Sequence, residues 1–436
     1  MSSHPGTPSV SRLSPRAWAV FLLVVAADVL DLLSTTVTNI AAPAIVGQLH
    51  ASEALTPWLG ASYALAMGSV LIIGGRLGDR FGCRRLFLAG LAGFACCSAA
   101  VAAAPTGAFL VAARIAQGAC GGLLIPQGFV LLMRVVPRAS MRIVFALFGP
   151  LLAASSMSGP VLAGLVIEAD PFGWGWRAVF ALNAVLAVAL AAVAVRAVPP
   201  FAGDRSVQIR PGAALTLMAG VGLLLAGLID GGADGWGVPA ELAVACGTVI
   251  LAVLAHRQST TATPLLERSL FGNRGFVVGL FFGALFSGAV TGTLYVTVLY
   301  LQQHLGQSPF HAALTTAPLT IGILAASFTA RSRITSAGRA IVTLGLALFF
   351  TGVAALAAVI AVAAHPVPLI CAPLFVTGLG MGCCFGTIFA VALGDVTEAQ
   401  AGSASGVLNA IQQIVSAAGS ALMSTVYIAT SDTTSD

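Results

Sequence analysis

Two acids, Asp28 and Asp31, interrupt an otherwise apolar run from Ala17 to Leu33. They follow Arg16 by 12 and 15 residues, which on a helix is about 18 and 22 Å along the axis. At spacing i,i+3 they share a helix face. An acid at the centre of a membrane helix costs roughly 2.5–3.5 kcal/mol on insertion scales, so two of them demand a polar cavity, a partner or a proton. The chemistry this suits is reversible protonation; the bland reading, polar residues that only fix helix packing, stays open. Arg114 stands about 13 Å inward from Pro105 on another apolar run and cannot lose its proton, so it needs acceptors. Asp28, Asp31 and Gln117 are the candidates. Ser34, Asn39, Gln117, Gln127, Asn409, Gln412 and Gln413 are further polar side chains on apolar runs and the candidates to line a substrate cavity.

A second cluster reads Gly75-Arg76-Leu77-Gly78-Asp79-Arg80-Phe81-Gly82-Cys83-Arg84-Arg85. One acid lies among four arginines between glycines, so Asp79 can accept charge-assisted bonds or cap a helix end that is released in a conformational change. An ordinary basic loop explains the arginines but neither Asp79 nor the glycines. Farther on, Ser158-Gly159-Pro160 and Gly164 remove one backbone bond and allow a kink with close helix contact.

Helices in lipid must position these residues. The 436 residues are 58% hydrophobic and 8% charged, where a soluble domain is about one quarter charged. Apolar windows of roughly twenty residues, each long enough to span a bilayer core, begin near Arg16, Trp58, Leu86, Thr106, Arg142, Ala178, Gly212, Pro239, Gly275, Phe310, Ala340, Pro368 and Gly402. Backbone in lipid must satisfy itself, so thirteen helices are expected. The first is read as a span and not as a cleaved signal, because its apolar run is long and others follow. All twenty basic residues are Arg, which hints at a GC-rich bacterial source. With a cytoplasmic N-terminus, eighteen of the twenty fall inside, which fixes the orientation in the plasma membrane. Trp18, Trp58, Trp174, Trp176 and Trp236 fall where interfacial anchors belong.

The same pattern excludes other classes. The net charge of +5 forms no basic stripe, so a nucleic-acid partner is not expected. The eight Cys have no zinc-like spacing and read as small buried hydrophobes. Six dispersed His, with no nucleophile or nucleotide-binding motif, give no enzyme and no ATP-driven pump.

Taken together, these residues resemble the major facilitator superfamily, in its fourteen-helix drug:proton antiporter branch. Gly75, Leu77, Asp79, Arg80 and Gly82 match the family's loop between helices two and three, with Cys83 where a basic residue is usual. Ala113-Arg114-Ile115-Ala116-Gln117-Gly118 is similar to the helix-four motif, whose Arg is implicated in proton coupling, and Ser155 to Gly164 to the helix-five antiporter motif. The stretches Trp176 to Asn183 and Pro264 to Arg274 also match. Thr36 to Pro43 resembles the helix-one motif, but the motif's Asp falls on Ser34, with Asp31 one turn earlier. Ser405 to Gln413 resembles the thirteenth helix, with Gln412 where Arg is common, and no fourteenth helix is expected after it.

The resemblance implies an all-α polytopic protein of two bundles around a midplane site, a monomer that needs small-molecule substrate, protons and lipid but no cofactor besides the proton gradient. Its parts are a tail (1–15), a six-helix bundle (16–198), a linker (199–211), an inserted pair outside the transport core (212–256), a loop (257–274), a five-helix bundle (275–428) and a tail (429–436). Asp28, Asp31 and Arg114 would couple protons; Gly75, Asp79, Arg80, Gly82 and Arg84 would form a conformational latch; Gly159, Pro160 and Gly164 would form the antiporter seam. The rivals are a metabolite exporter or importer of the same fold and a non-transporting paralogue.

Overall fold

The computed structural model describes residues 14–51, 55–137, 173–207, 211–234, 236–261, 268–307, 309–330, 334–362, 367–394, 396–397 and 400–432, with isolated positions between 138 and 172. Every regular element among them is a helix: α1 (Pro15–Gln48), α2 (Leu55–Phe81), α3 (Cys83–Ala102), α4 (Gly107–Val135), α5 (Trp176–Ala197), α6 (Pro211–Asp234), α7 (Val238–Thr260), the short α8 (Arg268–Gly272), α9 (Arg274–Leu299), α10 (Pro309–Ala330), α11 (Ile334–Val362), α12 (Val367–Leu393) and α13 (Ala401–Asp432). A π-helical turn, Tyr300–His304, continues α9. The window expected near Arg142, with Gly159, Pro160 and Gly164, lies outside the described residues.

Local chemistry sets the helix starts. Ser14 Oγ accepts from Ala17 N at 3.2 Å ahead of Pro15, Thr106 Oγ accepts from Phe109 N at 3.3 Å, and Asn273 Oδ1 accepts from Gly275 N at 2.9 Å, each satisfying a donor that a first turn leaves open. Eight described helices are long and apolar enough to cross a bilayer, among them the acid-bearing α1 and the arginine-bearing α4. Helices α2, α6 and α10 carry further apolar stretches among the described residues, Ser62–Leu71, Leu215–Leu228 and Leu314–Thr329. The inserted pair, α6 and α7, has 24 and 23 residues, longer than the 20 of α3.

In the first half, α4 packs against α1, α2 and α3, and α5 against α1 and α3; in the second half, α12 lies between α10 and α11 while α9 pairs with α13. Small residues permit the closest crossings. A Cβ on Gly118 would sit 2.2 Å from Tyr63 O, and one on Gly378 would sit 2.0 Å from Leu319 O, so any larger residue would force those helices apart. The second half is filled by an aromatic cluster, with Phe286 5.5 Å from both Phe349 and Phe385.

The two halves meet at the end that carries Arg76 to Arg85 and Arg134, here called the basic end. There α13 lies against α2 and α4, and the Phe129 and Phe389 rings stack at 5.3 Å and 15°. The resemblance placed the inserted pair outside the core. The α7 window is largely exposed, whereas α6 packs against both α2 and α13. Trp18, Trp58, Trp174 and Trp236 are exposed as expected of anchors, but Trp176 is fully buried; its Nε1 donates to Gln48 Oε1 at 2.9 Å, which removes the polar reason for it to seek an interface. Cys83, Cys383 and Cys384 are buried, while Cys96 and Cys246 are exposed on the helix surface.

Candidate functional site

The first-half helices enclose a polar layer with Arg114 at its centre. Arg114 is fully buried. Its Nη1 donates to Gln117 Oε1 at 2.7 Å and to Ser34 Oγ at 2.9 Å, and its Nε donates to Leu59 O at 3.4 Å. Gln117 Nε2 in turn donates to Ser98 Oγ at 2.7 Å, so α1, α2, α3 and α4 all contribute to holding one guanidinium. Arg114 Nη2 has no hydrogen-bond partner among the described residues. Below it lies the Tyr63 ring, 4.3 Å from the guanidinium carbon, with the Phe180 ring at 5.9 Å, distances at which the negative ring face attracts a cation.

Tyr63 joins the charges. Its hydroxyl donates to Asp31 Oδ1, so the acid and the arginine are linked through one side chain. Gly121 makes room for this contact: a Cβ there would meet Tyr63 Oη at 2.6 Å and Asp31 Oδ1 at 2.9 Å. Asp31 is buried, and Asp28, one turn away, is half-buried with Asp31 as its charged neighbour. Of the partners expected for Arg114, Gln117 is in direct contact and Asp31 is reached through Tyr63. Ser34, where the resemblance puts an acid, accepts from the arginine through its hydroxyl. Tyr63 and Ser98 were not singled out from the sequence, although Tyr63 is one of only four tyrosines and faces a Gly-rich stretch of α4.

The cavity candidates separate into groups. Ser34, Gln117 and Gln127 are fully buried and consumed by packing; Gln127 Nε2 donates to Gly74 O at 2.7 Å. Asn409, Gln412 and Gln413 on α13 are half-buried. Asn409 Nδ2 bonds back to Ser405 O at 2.8 Å, Gln412 Nε2 approaches Gly283 on α9, and Gln413 lies beside Gly68 on α2. Asn39 belongs to α1, and its side chain lies outside the described residues.

At the basic end, Gly75 and Asp79 meet the start of α13, whereas Arg80, Gly82 and Arg84 meet the end of α5 and the segment that follows it. A Cβ on Gly75 would fall 2.2 Å from Gly402 O, and one on Gly402 would fall 2.9 Å from Asp79 Oδ1. Ser403 Oγ donates to Asp79 Oδ2 at 3.3 Å. A carboxylate at the first turn of α13 faces open N–H groups and the positive end of the helix dipole, so this contact holds the halves together only while α2 and α13 stay close. Arg80 Nη1 donates to Val207 O at 3.0 Å and Arg84 Nη2 to Val195 O at 2.7 Å; Gly82, at φ +94°, caps the start of α3.

The sequence profile of the Major Facilitator Superfamily matches residues 24–420. The chain belongs to the major facilitator superfamily. As a member of that family it is a multi-pass membrane transporter and not an enzyme. It is 34% identical over 424 residues to a probable actinorhodin transporter of Streptomyces coelicolor, covering 94% of this chain and 72% of the relative. It is 30% identical over 406 residues to a methylenomycin A resistance protein of the same organism (93% and 84% covered), and 29% identical over 426 residues to a multidrug efflux pump of Mycolicibacterium smegmatis (97% and 83% covered). The fold matches the human organic anion transporter MFSD10 at TM-score 0.67 and 15% identity, covering 95% and 94% of the two chains. It also matches the proton:xylose symporter XylE at TM-score 0.67 and 18% identity, covering 97% and 90%.

Proposed function

We propose that this facilitator exports small, amphipathic organic compounds across the bacterial plasma membrane in exchange for protons, working as a monomer with its N-terminus and basic end in the cytoplasm. Two bundles, 16–198 and 275–428, would alternate about a midplane site, with the inserted pair at 212–256 between linkers 199–211 and 257–274. Relatives named as antibiotic transporters and resistance proteins support export of a drug-like compound. The observation that carries proton coupling is the Asp31–Tyr63–Arg114 connection, a titratable group tied through one buried side chain to a permanent charge.

In the cycle, the joined basic end is the state open to the outside. A proton taken from that side neutralises Asp31, which weakens its pull on Tyr63 and on Arg114 and changes the packing of α2 against α4. Because α2 also carries Gly75 and Asp79, its movement releases the contact with Gly402 and Ser403 and opens the cytoplasmic side. Substrate binds there, the proton leaves, and the basic end closes again. Protonation and substrate thus favour opposite openings, the requirement for exchange. Each inward charge contributes roughly 2.3 kcal/mol per 100 mV.

Proteoliposomes containing trapped pyranine and challenged with ethidium and other polycyclic aromatic compounds test this reading. Compound-triggered proton flux is expected, with loss of the flux in Asp31→Asn and normal membrane insertion. Undiminished exchange in Asp31→Asn combined with Asp28→Asn would remove both acids from the mechanism.

A further inference from the structure

The segment that leaves α5 is strapped down. Val198 is buried, and the backbone from Phe201 to Val207 interlocks with the end of α2. A Cβ on Gly82 would sit 2.5 Å from Phe201 O, and one on Gly203 would sit 2.3 Å from Arg80 O and 2.5 Å from Gly82 N. Asp204 N donates to Asp79 O at 2.8 Å, and Val207 O accepts from Arg80. The Arg134 guanidinium stands 5.2 Å from the Phe201 ring centre. The Ser206 side chain and then its backbone N–H hold the exposed Asp204 carboxyl below the usual carboxylate range. The partners named here, Asp79, Arg80, Gly82 and Arg134, all belong to the first bundle.

The strap leads into α6, which lies in the seam between the halves. Leu217, Val221 and Leu225 are buried there. Toward α2 the fit is close: Leu225 Cδ1 is 2.9 Å from the position of a Cβ on Gly68, and a Cβ on Gly222 would be 3.5 Å from Ser69 Oγ. Toward α13, α6 shares an apolar cluster with Ala404, Val407 and Leu408. Apolar side-by-side packing has no directional bonds to break and permits sliding, whereas hydrogen bonds and interlocked glycines do not.

We infer that α6 moves as part of the first bundle and slides along α13 during alternation, so that the 198–207 strap and α6 form one device covering the α2–α13 seam in both openings. This rests on the alternating-access reading above. A compound dissolved in the bilayer would thereby be denied entry along this seam.

Pulsed-EPR distances in proteoliposomes, compared between acid and alkaline buffer, test it in the full chain with the native cysteines replaced. Three spin-labelled pairs are needed: Ser69→Cys with Gly222→Cys (α2–α6), Leu225→Cys with Gln413→Cys (α6–α13), and Phe81→Cys with Gln400→Cys across the latch. The expected result is a constant α2–α6 distance while the α6–α13 and latch distances shift by roughly one helical turn, about 5 Å. If the latch pair moves while α6–α13 stays constant, or α2–α6 shifts, the inference falls and alternation stands. If the latch pair never moves, the alternation reading fails and takes the inference with it. Should the cysteine-free chain not assemble, yields of a reducible bis-thiol cross-linker at the same pairs, against single-cysteine parents with native thiols, follow the same motions: α2–α6 yield unchanged and α6–α13 yield altered about fivefold supports sliding; the reverse, or no change in either, overturns it.

Discussion

Ser34 Oγ accepts a 2.9 Å hydrogen bond from Arg114 Nη1 at the helix-one position where the family resemblance puts a carboxylate. A neutral hydroxyl thus meets the buried guanidinium, and the acid that communicates with it, Asp31, sits one turn earlier and works through Tyr63.

That arrangement predicts a transplant. Ser34→Asp combined with Asp31→Asn places the carboxylate in direct reach of Arg114, where a charge-assisted hydrogen bond is worth roughly 1.5–3 kcal/mol. Proton-coupled flux lost in Asp31→Asn should return to at least about one tenth of the parent rate in the double variant. Flux that stays at background in a correctly inserted double variant would show that the register of the acid, and not only its charge, is required.

Tyr63→Phe keeps the ring under Arg114 and removes only the hydroxyl. Leaving a buried acceptor without its donor costs about 1–3 kcal/mol, so coupled flux should fall roughly tenfold or more and its pH profile should be displaced, with expression and insertion unchanged. An unaltered pH profile would reduce Tyr63 to a packing residue.

Gly75→Ala tests the latch by bulk. Its Cβ would fall 2.2 Å from Gly402 O, a backbone atom that cannot swing away. The joined basic end should be disfavoured, and Ser403→Cys on that background should react faster with an impermeant maleimide from the cytoplasmic side. Asp79→Ala should act in the same direction through loss of the bond from Ser403. Equal labelling rates in parent and variants would mean that this contact does not govern the opening.

Phe129→Ala removes the stack on Phe389. Aromatic pairs contribute about 0.5–1.5 kcal/mol beyond burial, so the balance between openings should move up to about tenfold toward the cytoplasmic one. The same labelling assay reads it, and Phe129→Tyr should restore the parent rate.

Much of this was legible in one dimension. The length and apolarity of the windows place α1, α3, α4 and α9 within a few residues of their observed starts, because a helix in lipid is dictated by the cost of unpaired backbone and not by distant neighbours. The same cost marks Asp31 and Arg114 as needing partners, and the glycines around Asp79 as permitting a close approach. The family of the chain follows from those motifs as well.

The identity of the partners was not legible. Whether a polar side chain on a span lines a cavity or is spent inside a bundle depends on the rotation and crossing of its helix, which are set by contacts between residues far apart in the chain. Gly118 and Gly121 let α4 close on Tyr63, and that single approach buries Ser34 and Gln117 in the arginine layer instead of leaving them to face substrate. For the same reason Trp176 is buried against Gln48, 128 residues away, and α6 lies in the seam between α2 and α13. The sequence by itself determined which segments are helices and which charges could not stand alone; only the tertiary structure decided which side chains meet, because glycine contacts and helix rotation are properties of pairs of helices and not of any one of them.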